Sequence, residues 1–151
     1  MTTPAHPGRM FFVTLPVADV ARSRAFFAGL GFTFDEAFSG EGSACMLVGE
    51  QANVMLGSHA MFAQLSKLPM ADPRTHALAL YCFGVESRED VDRVVDTAIA
   101  AGAVEADPLE DLGFMVSRSF FDLDGHGWQV MWMDPAAAQP DAEPAAQVAG
   151  V

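Results

Sequence analysis

The chain has 151 residues, 51% of them apolar, and a formal net charge of −12. That length suits one domain or two small joined modules, and that apolar share buries a substantial core and excludes global disorder. No apolar run approaches the roughly 20 residues that cross a bilayer, residues 1–9 lack the apolar stretch of a secretory signal, and so acidic a surface repels phosphate backbones and anionic headgroups; the expectation is a cytoplasmic protein with neither nucleic-acid nor membrane partners.

Residues 1–9 carry two prolines and little pattern, and read as a loose leader. Residues 11–17 read as a strand. Asp19 is placed to cap a helix, because its carboxylate can accept a free N–H of the first turn. Val20, Ser23, Phe27 and Leu30 share one face of that helix, with Phe26 at its edge. Gly31 ends it. Residues 32–38 are strand-like, 39–42 form a turn, and two short strands at 45–48 and 53–56 flank Gly49-Glu50-Gln51.

A connector spans 59–75. Met61, Phe62, Leu65 and Leu68 have helical spacing there, so a short amphipathic helix is expected, placed as a lid over a cavity mouth; Asp72-Pro73 ends it. The pattern then restarts. Residues 76–83 read as a strong strand. Ser87 caps a second helix, with Asp90 three residues on as a capping-box-like partner. Val91, Val94, Val95, Ala98 and Ile99 follow the i, i+3, i+4, i+7, i+8 pattern. Gly102 stops this helix and Val104 opens a short strand. Strands at 114–121 and 128–133 are joined by Asp122-Leu123-Asp124-Gly125-His126-Gly127, whose glycines suit a tight reversal. Residues 136–151 are rich in Pro, Ala and Gln and read as a disordered tail.

With Phe12 set against His76, the chain is two copies of one unit, at 10–58 and 76–135. Neither half buries its sheet face alone. The expected fold is α+β: two tandem βαβββ modules forming a curved mixed sheet around a cavity, with the helices outside. A concave sheet lined by alternating side chains is a natural ligand site.

Two motifs carry a family resemblance. Val17-x-Asp19-x-x-x-Ser23-x-x-Phe26-Phe27, followed by Leu30-Gly31-Phe32, resembles the opening signature of the vicinal oxygen chelate superfamily. Phe120-x-Asp122-Leu123-Asp124-Gly125-x-x-x-Gln129-Val130 resembles its closing hairpin. That superfamily holds glyoxalase I, extradiol dioxygenases, fosfomycin resistance enzymes and bleomycin-binding proteins. The likeness runs over about residues 10 to 134, and Gly113-Phe114-Met115, Arg118-Ser119-Phe120 and Trp132-Met133-Asp134 look most like an uncharacterised glyoxalase-related branch.

The resemblance implies a homodimer. It also implies where metal-using relatives hold their ion: one ligand on the first and one on the last strand of each module, usually His, Glu or Gln. Carried onto this chain those positions are Phe12, Met55, His76 and Gln129. Phe12 has no lone pair. Met55 is a thioether, suited to soft Cu(I) and not to harder divalent ions. Gln129 offers a neutral carbonyl oxygen, so His76 alone is a good ligand where a catalytic site wants about three. The expected protein has no cofactor and takes a small apolar or aromatic molecule into its cavity. The alternative is a divalent metal on His76 and Gln129, with His59 or His126 added, in a glyoxalase I-like lyase or isomerase or a dioxygenase-related enzyme. A non-enzymatic interaction module is the third reading.

The candidate ligand-binding residues are Phe12, Thr14, Met55, His76, Arg118 and Gln129. Each has a plainer reading. His76 would be a strand-end histidine bonded to backbone or water. Gln129 would be a cross-strand partner, and Arg118 a bridge to Asp122 or Asp124. Asp122 and Asp124 read as turn formers, and His126 as an exposed or turn-stabilising residue. Met55, Met61, Met115, Met131 and Met133, with Phe12 and Phe62, supply either a soft pocket wall or core packing. Cys45 and Cys82 lie in apolar runs without a CxxC partner and read as small buried hydrophobes. No nucleophile–base spacing, phosphate loop or HExxH is present.

Overall fold

Each copy of the repeat builds its own four-stranded sheet. In the computed structural model, which describes residues 3–137, the first module is β1 (Phe11–Val17), α1 (Val20–Gly29), β2 (Thr33–Gly40), β3 (Ser43–Leu47) and β4 (Ala52–Ser58). A short helix α2 (His59–Leu65) follows. The second module is β5 (Tyr81–Gly84), α3 (Arg88–Ala100), β6 (Val104–Asp111), β7 (Met115–Phe121) and β8 (Gly127–Met133). The strand orders are β1-β4-β3-β2 and β5-β8-β7-β6. In both sheets the first strand runs parallel to the last and the other pairs are antiparallel.

Local chemistry places both main helices. Asp19 accepts the backbone N–H of Arg22 at 2.9 Å, and the Ser87 hydroxyl accepts that of Asp90 at 3.1 Å. The Asp90 carboxylate turns to Arg93. Gly31 and Gly102 leave the helices at φ of 103° and 109°, a left-handed turn that favours glycine.

Sheet alternation then sorts the side chains. Leu15, Val54 and Leu56 of the first sheet and Phe83, Phe120, Trp128 and Val130 of the second face the helices. One buried cluster joins them to Phe26 and Phe27 of α1 and to Val94, Val95 and Ala98 of α3. Phe27 lies 5.1 Å from Trp128 between ring centroids, and Phe32 lies 5.0 Å from Phe83. The modules therefore share one core, and each buried aromatic contributes roughly 2–3 kcal/mol of burial.

The 122–127 turn latches the modules together. Asp124 accepts the Ala18 N–H at 2.8 Å and the Ser23 hydroxyl at 3.2 Å. His126 Nε2 donates to the Pro16 carbonyl at 2.8 Å. Asp122 holds the turn itself, accepting from the backbone of Asp124 and His126 and from Trp128 Nε1. The turn-forming role expected for both aspartates holds for Asp122, whereas the Asp124 carboxylate bonds the other module instead. Of the two roles expected for His126, the turn-stabilising one holds through its backbone bond to Asp122, and the residue is buried because the other module covers it.

The structure corrects the second repeat. The strand expected from residue 76 begins at Tyr81. Tyr81 pairs with Trp128, so the residues before it run past the end of β8 into the turn and find no ladder. Leu78 and Leu80 are 80% and 78% exposed. Aligned on the caps Asp19 and Ser87, Phe12 falls opposite Leu80, and His76 drops out of the sheet. Both modules then share one register, Thr14 opposite Met55 and Cys82 opposite Gln129. Cys45 is buried as expected, but Cys82 is exposed because alternation turns it away from the core. The sixth strand extends to Asp111. Most of the expected tail lies outside the described residues.

The connector helix exists and lies across the end of β1 and β4. A Cβ on Gly57 would meet Met61 Sδ at 3.3 Å, so glycine there lets α2 approach the sheet closely.

Candidate functional site at the junction of the modules

Each sheet has one face against its helix and one turned away. Phe12, Thr14 and Met55 stand on the outer face of the first sheet, and Cys82 and Gln129 on that of the second. Phe12 packs on Phe38 at 5.9 Å. Gln129 is exposed, so its amide needs no protein partner.

Arg118 is not a cavity cation. It alternates with Val116 and Phe120 on the helix-covered face, with its side chain 10% exposed. Its guanidinium bonds Asp92, Asp96 and Glu105, each at 2.9 Å, not Asp122 or Asp124. Burial opposes that charge, but the bonds to Asp96, Glu105 and Asp92 outweigh it and raise the Arg118 pKa above its ordinary value.

Thr14 and His76 do come together. They line a pocket of about 110 Å³ where the end of β1, the α2 residue Phe62, the 70–80 connector, Tyr81, Phe121 and the 125–127 turn converge. Phe12, Met55, Gln129 and Arg118 are not part of it. His76 reaches the pocket through the connector, with its Nδ1 2.8 Å from the Thr75 hydroxyl. Pro16, Met70, Leu78 and Leu80 give the walls an apolar character.

Two pocket residues lie outside the candidate ligand-binding set, although the metal-dependent alternative names His126 as an added ligand. His126 is 8% exposed, with its ring 6.5 Å from that of Tyr81. Tyr81 stacks obliquely on Trp128 at 5.1 Å. Burial, then the nearby Asp122 carboxylate, pushes the Tyr81 phenol above its ordinary pKa. Burial also raises the Asp122 carboxyl, against the pull of His126 and of the N–H donors it accepts. An imidazole set between two glycines in the Gly125-His126-Gly127 turn was the available signal, since such a turn lets another segment pack closely on the ring.

Residues 9–49 match the family model described as bleomycin resistance protein-like N-terminal. A hypothetical protein from S. aureus superposes with a TM-score of 0.71 at 23% identity, over 81% of this chain and 92% of that one. A glyoxalase/bleomycin resistance protein/dioxygenase family enzyme from Burkholderia phytofirmans gives 0.67 at 19% identity, over 81% and 96%. A glyoxalase-related enzyme from Fulvimarina pelagi gives 0.70 at 16% identity, over 82% and 87%.

The fold is the one these glyoxalase/bleomycin resistance/dioxygenase structures share. None of the curated protein sequences matches the chain.

The residues at the superfamily's metal positions do not fit a divalent ion here. With the second repeat realigned, those positions hold Phe12, Met55, Leu80 and Gln129, which offer one thioether and one neutral amide. Among the described residues no three His, Cys, Asp or Glu side chains stand close enough to hold a metal. His76 and Gln129 are not on one site, and His126 has committed Nε2 to Pro16. No helix of the described residues is long and apolar enough to cross a membrane.

Proposed function

We propose that this chain binds a small apolar or aromatic molecule without a metal, in the pocket between its modules, as a glyoxalase/bleomycin-resistance-like binding or sequestering protein of the cytoplasm. The observation that carries the reading is the pocket itself: apolar walls from both modules and the connector, with Thr14, His76, Tyr81 and His126 as its polar points. A few fixed polar groups in an apolar recess orient a ligand whose affinity comes from burial. Thr75, whose hydroxyl pairs with His76, is not among the lining residues, so binding and not turnover is the function proposed.

The test is a thermal-shift and calorimetric screen of small aromatic compounds. A ligand at about 100 times its Kd stabilises the fold by about 2.7 kcal/mol. The variant Ala77→Phe, which puts a ring into the recess from an exposed connector position, should abolish the shift while leaving the unliganded melt near wild type. A screen in which no compound moves the melt refutes the reading. Elemental analysis of protein purified without chelators should find under about a tenth of an equivalent of any transition metal; one full equivalent refutes the metal-free part.

A homodimer is proposed on separate grounds. Phe12 and Phe38 on the first sheet and Met133 on the second are between 39% and 48% exposed. Apolar side chains gathered on a bare sheet face are an interaction surface, and a second copy brings a matching pair of bare faces. Sedimentation showing a monomer at micromolar concentration would overturn this.

A further inference from the structure

Of the polar side chains that line the pocket, Thr14, His76, Tyr81 and His126, only His126 is buried, and one of its two ring nitrogens has no partner among the described residues. His126 Nε2 lies 2.8 Å from the Pro16 carbonyl oxygen. A carbonyl can only accept, so Nε2 carries the proton. In the neutral imidazole Nδ1 is then a bare lone pair, an acceptor. No group among the described residues bonds Nδ1, although the residue is 8% exposed. Among the described residues no sealed side-chain nitrogen or oxygen lacks a partner, so Nδ1 keeps some accessible surface, and His126 lines the recess.

We infer that the ligand, in the reading proposed above, is a single-ring molecule bearing one N–H or O–H donor, which His126 Nδ1 accepts. Three observations narrow the class. The ring nitrogen is fixed, because Asp122 binds the His126 backbone and Pro16 holds the far side of the ring. The Asp122 carboxylate behind it and the net charge of −12 disfavour an anion. A cavity of about 150 Å³ takes benzene, so about 110 Å³, open at its mouth, takes one six-membered ring and its donor and not a larger fused system. Phenols and anilines meet all three conditions. An apolar ring of the same size leaves a buried acceptor without water or partner, which costs affinity. His126 is thus a specificity residue: the apolar walls bind a ring and the imidazole selects the ring that donates.

The experiment compares phenol, aniline and toluene, which are matched in size, on uniformly ¹⁵N-labelled protein. Calorimetry gives the affinities, and long-range proton–nitrogen correlation spectra follow the two His126 ring nitrogens. Phenol and aniline should bind at least about tenfold more tightly than toluene, and the Nδ1 resonance alone should move toward that of a hydrogen-bonded nitrogen while Nε2 stays. In His126→Phe, if it remains folded, the three affinities should converge; the wild-type spectra decide the matter if it does not. Equal binding of all three with Nδ1 unmoved overturns the inference and leaves the binding reading standing. Tighter phenol binding with Nδ1 unmoved also overturns it, since another group then reads the donor. Binding of none of the three at millimolar concentration overturns this inference, whereas the reading beneath it falls only if the wider aromatic screen is also empty.

Discussion

Asp124→Ala removes the clasp between the modules, and its cost can be worked from the bonds lost. The carboxylate is 5% exposed and accepts from Ala18 N and Ser23 Oγ. A hydrogen bond to a charged group contributes about 1.5–3 kcal/mol net. The Ala18 N–H has no other acceptor within its turn and loses about 2 kcal/mol. The Ser23 hydroxyl can rotate toward the helix backbone, so its loss is nearer about 1 kcal/mol. The total of about 3 kcal/mol lowers the melting temperature by about 6–12 °C for a chain of this size. Asp124→Asn keeps one oxygen for Ala18 and should lose about half as much. The assay is urea unfolding followed by circular dichroism, where the midpoint should fall while the slope stays constant. A loss below about 1 kcal/mol for Asp124→Ala would refute the idea that this turn ties the halves together.

Three further outcomes follow from the same coordinates. Phe27→Ala should cost about 3–5 kcal/mol, and calorimetry should still show one transition, because Phe27 packs on Trp128 of the other module; two separate transitions would contradict a shared core. Arg118→Met should destabilise by about 1–2 kcal/mol, with a smaller difference in 1 M salt because the partner carboxylates are partly exposed; identical melts at both salt concentrations would show that the cluster does not anchor α3. Disulfide-exchange labelling should modify Cys82 in the native state and Cys45 only on unfolding. Desolvation by neighbouring atoms raises both thiols above the ordinary value of 9.0, with the Asp35 carboxylate adding to it at Cys45, so the thiolate forms only as pH climbs through the raised pKa and the Cys82 rate should keep rising past pH 9.0; a plateau below that pH would count against it.

The elements that were legible in the sequence are those set by neighbours in the chain. Asp19 and Ser87 reach donors three residues away, and Gly31 and Gly102 carry the positive φ that ends each helix. The start of β5 was not legible, because the apolar alternation runs unbroken through Ala77-Leu78-Ala79-Leu80 and only the end of β8 decides where pairing stops. That error moved the repeat onto His76. Thr14 and His76 share a pocket, but the histidine gets there along a connector and not on a strand. His126 illustrates the other limit: a turn rich in glycine and aspartate reads as exposed, and only contact with Pro16 of the other module buries it. The face of Arg118 was readable in principle, since Asp92 and Asp96 stand one helical turn apart as its complement.

No residue from 58 to 82 is buried, although this stretch supplies most of one wall of the pocket. The connector therefore shapes the pocket without adding to the hydrophobic interior, whereas His126 serves both the latch and the pocket. A connector grafted from a structural relative should leave the hydrophobic interior in place and change which ligands fit, provided Arg74 still reaches the Leu123 carbonyl, while His126, lodged in the latch, keeps its place in the recognition surface.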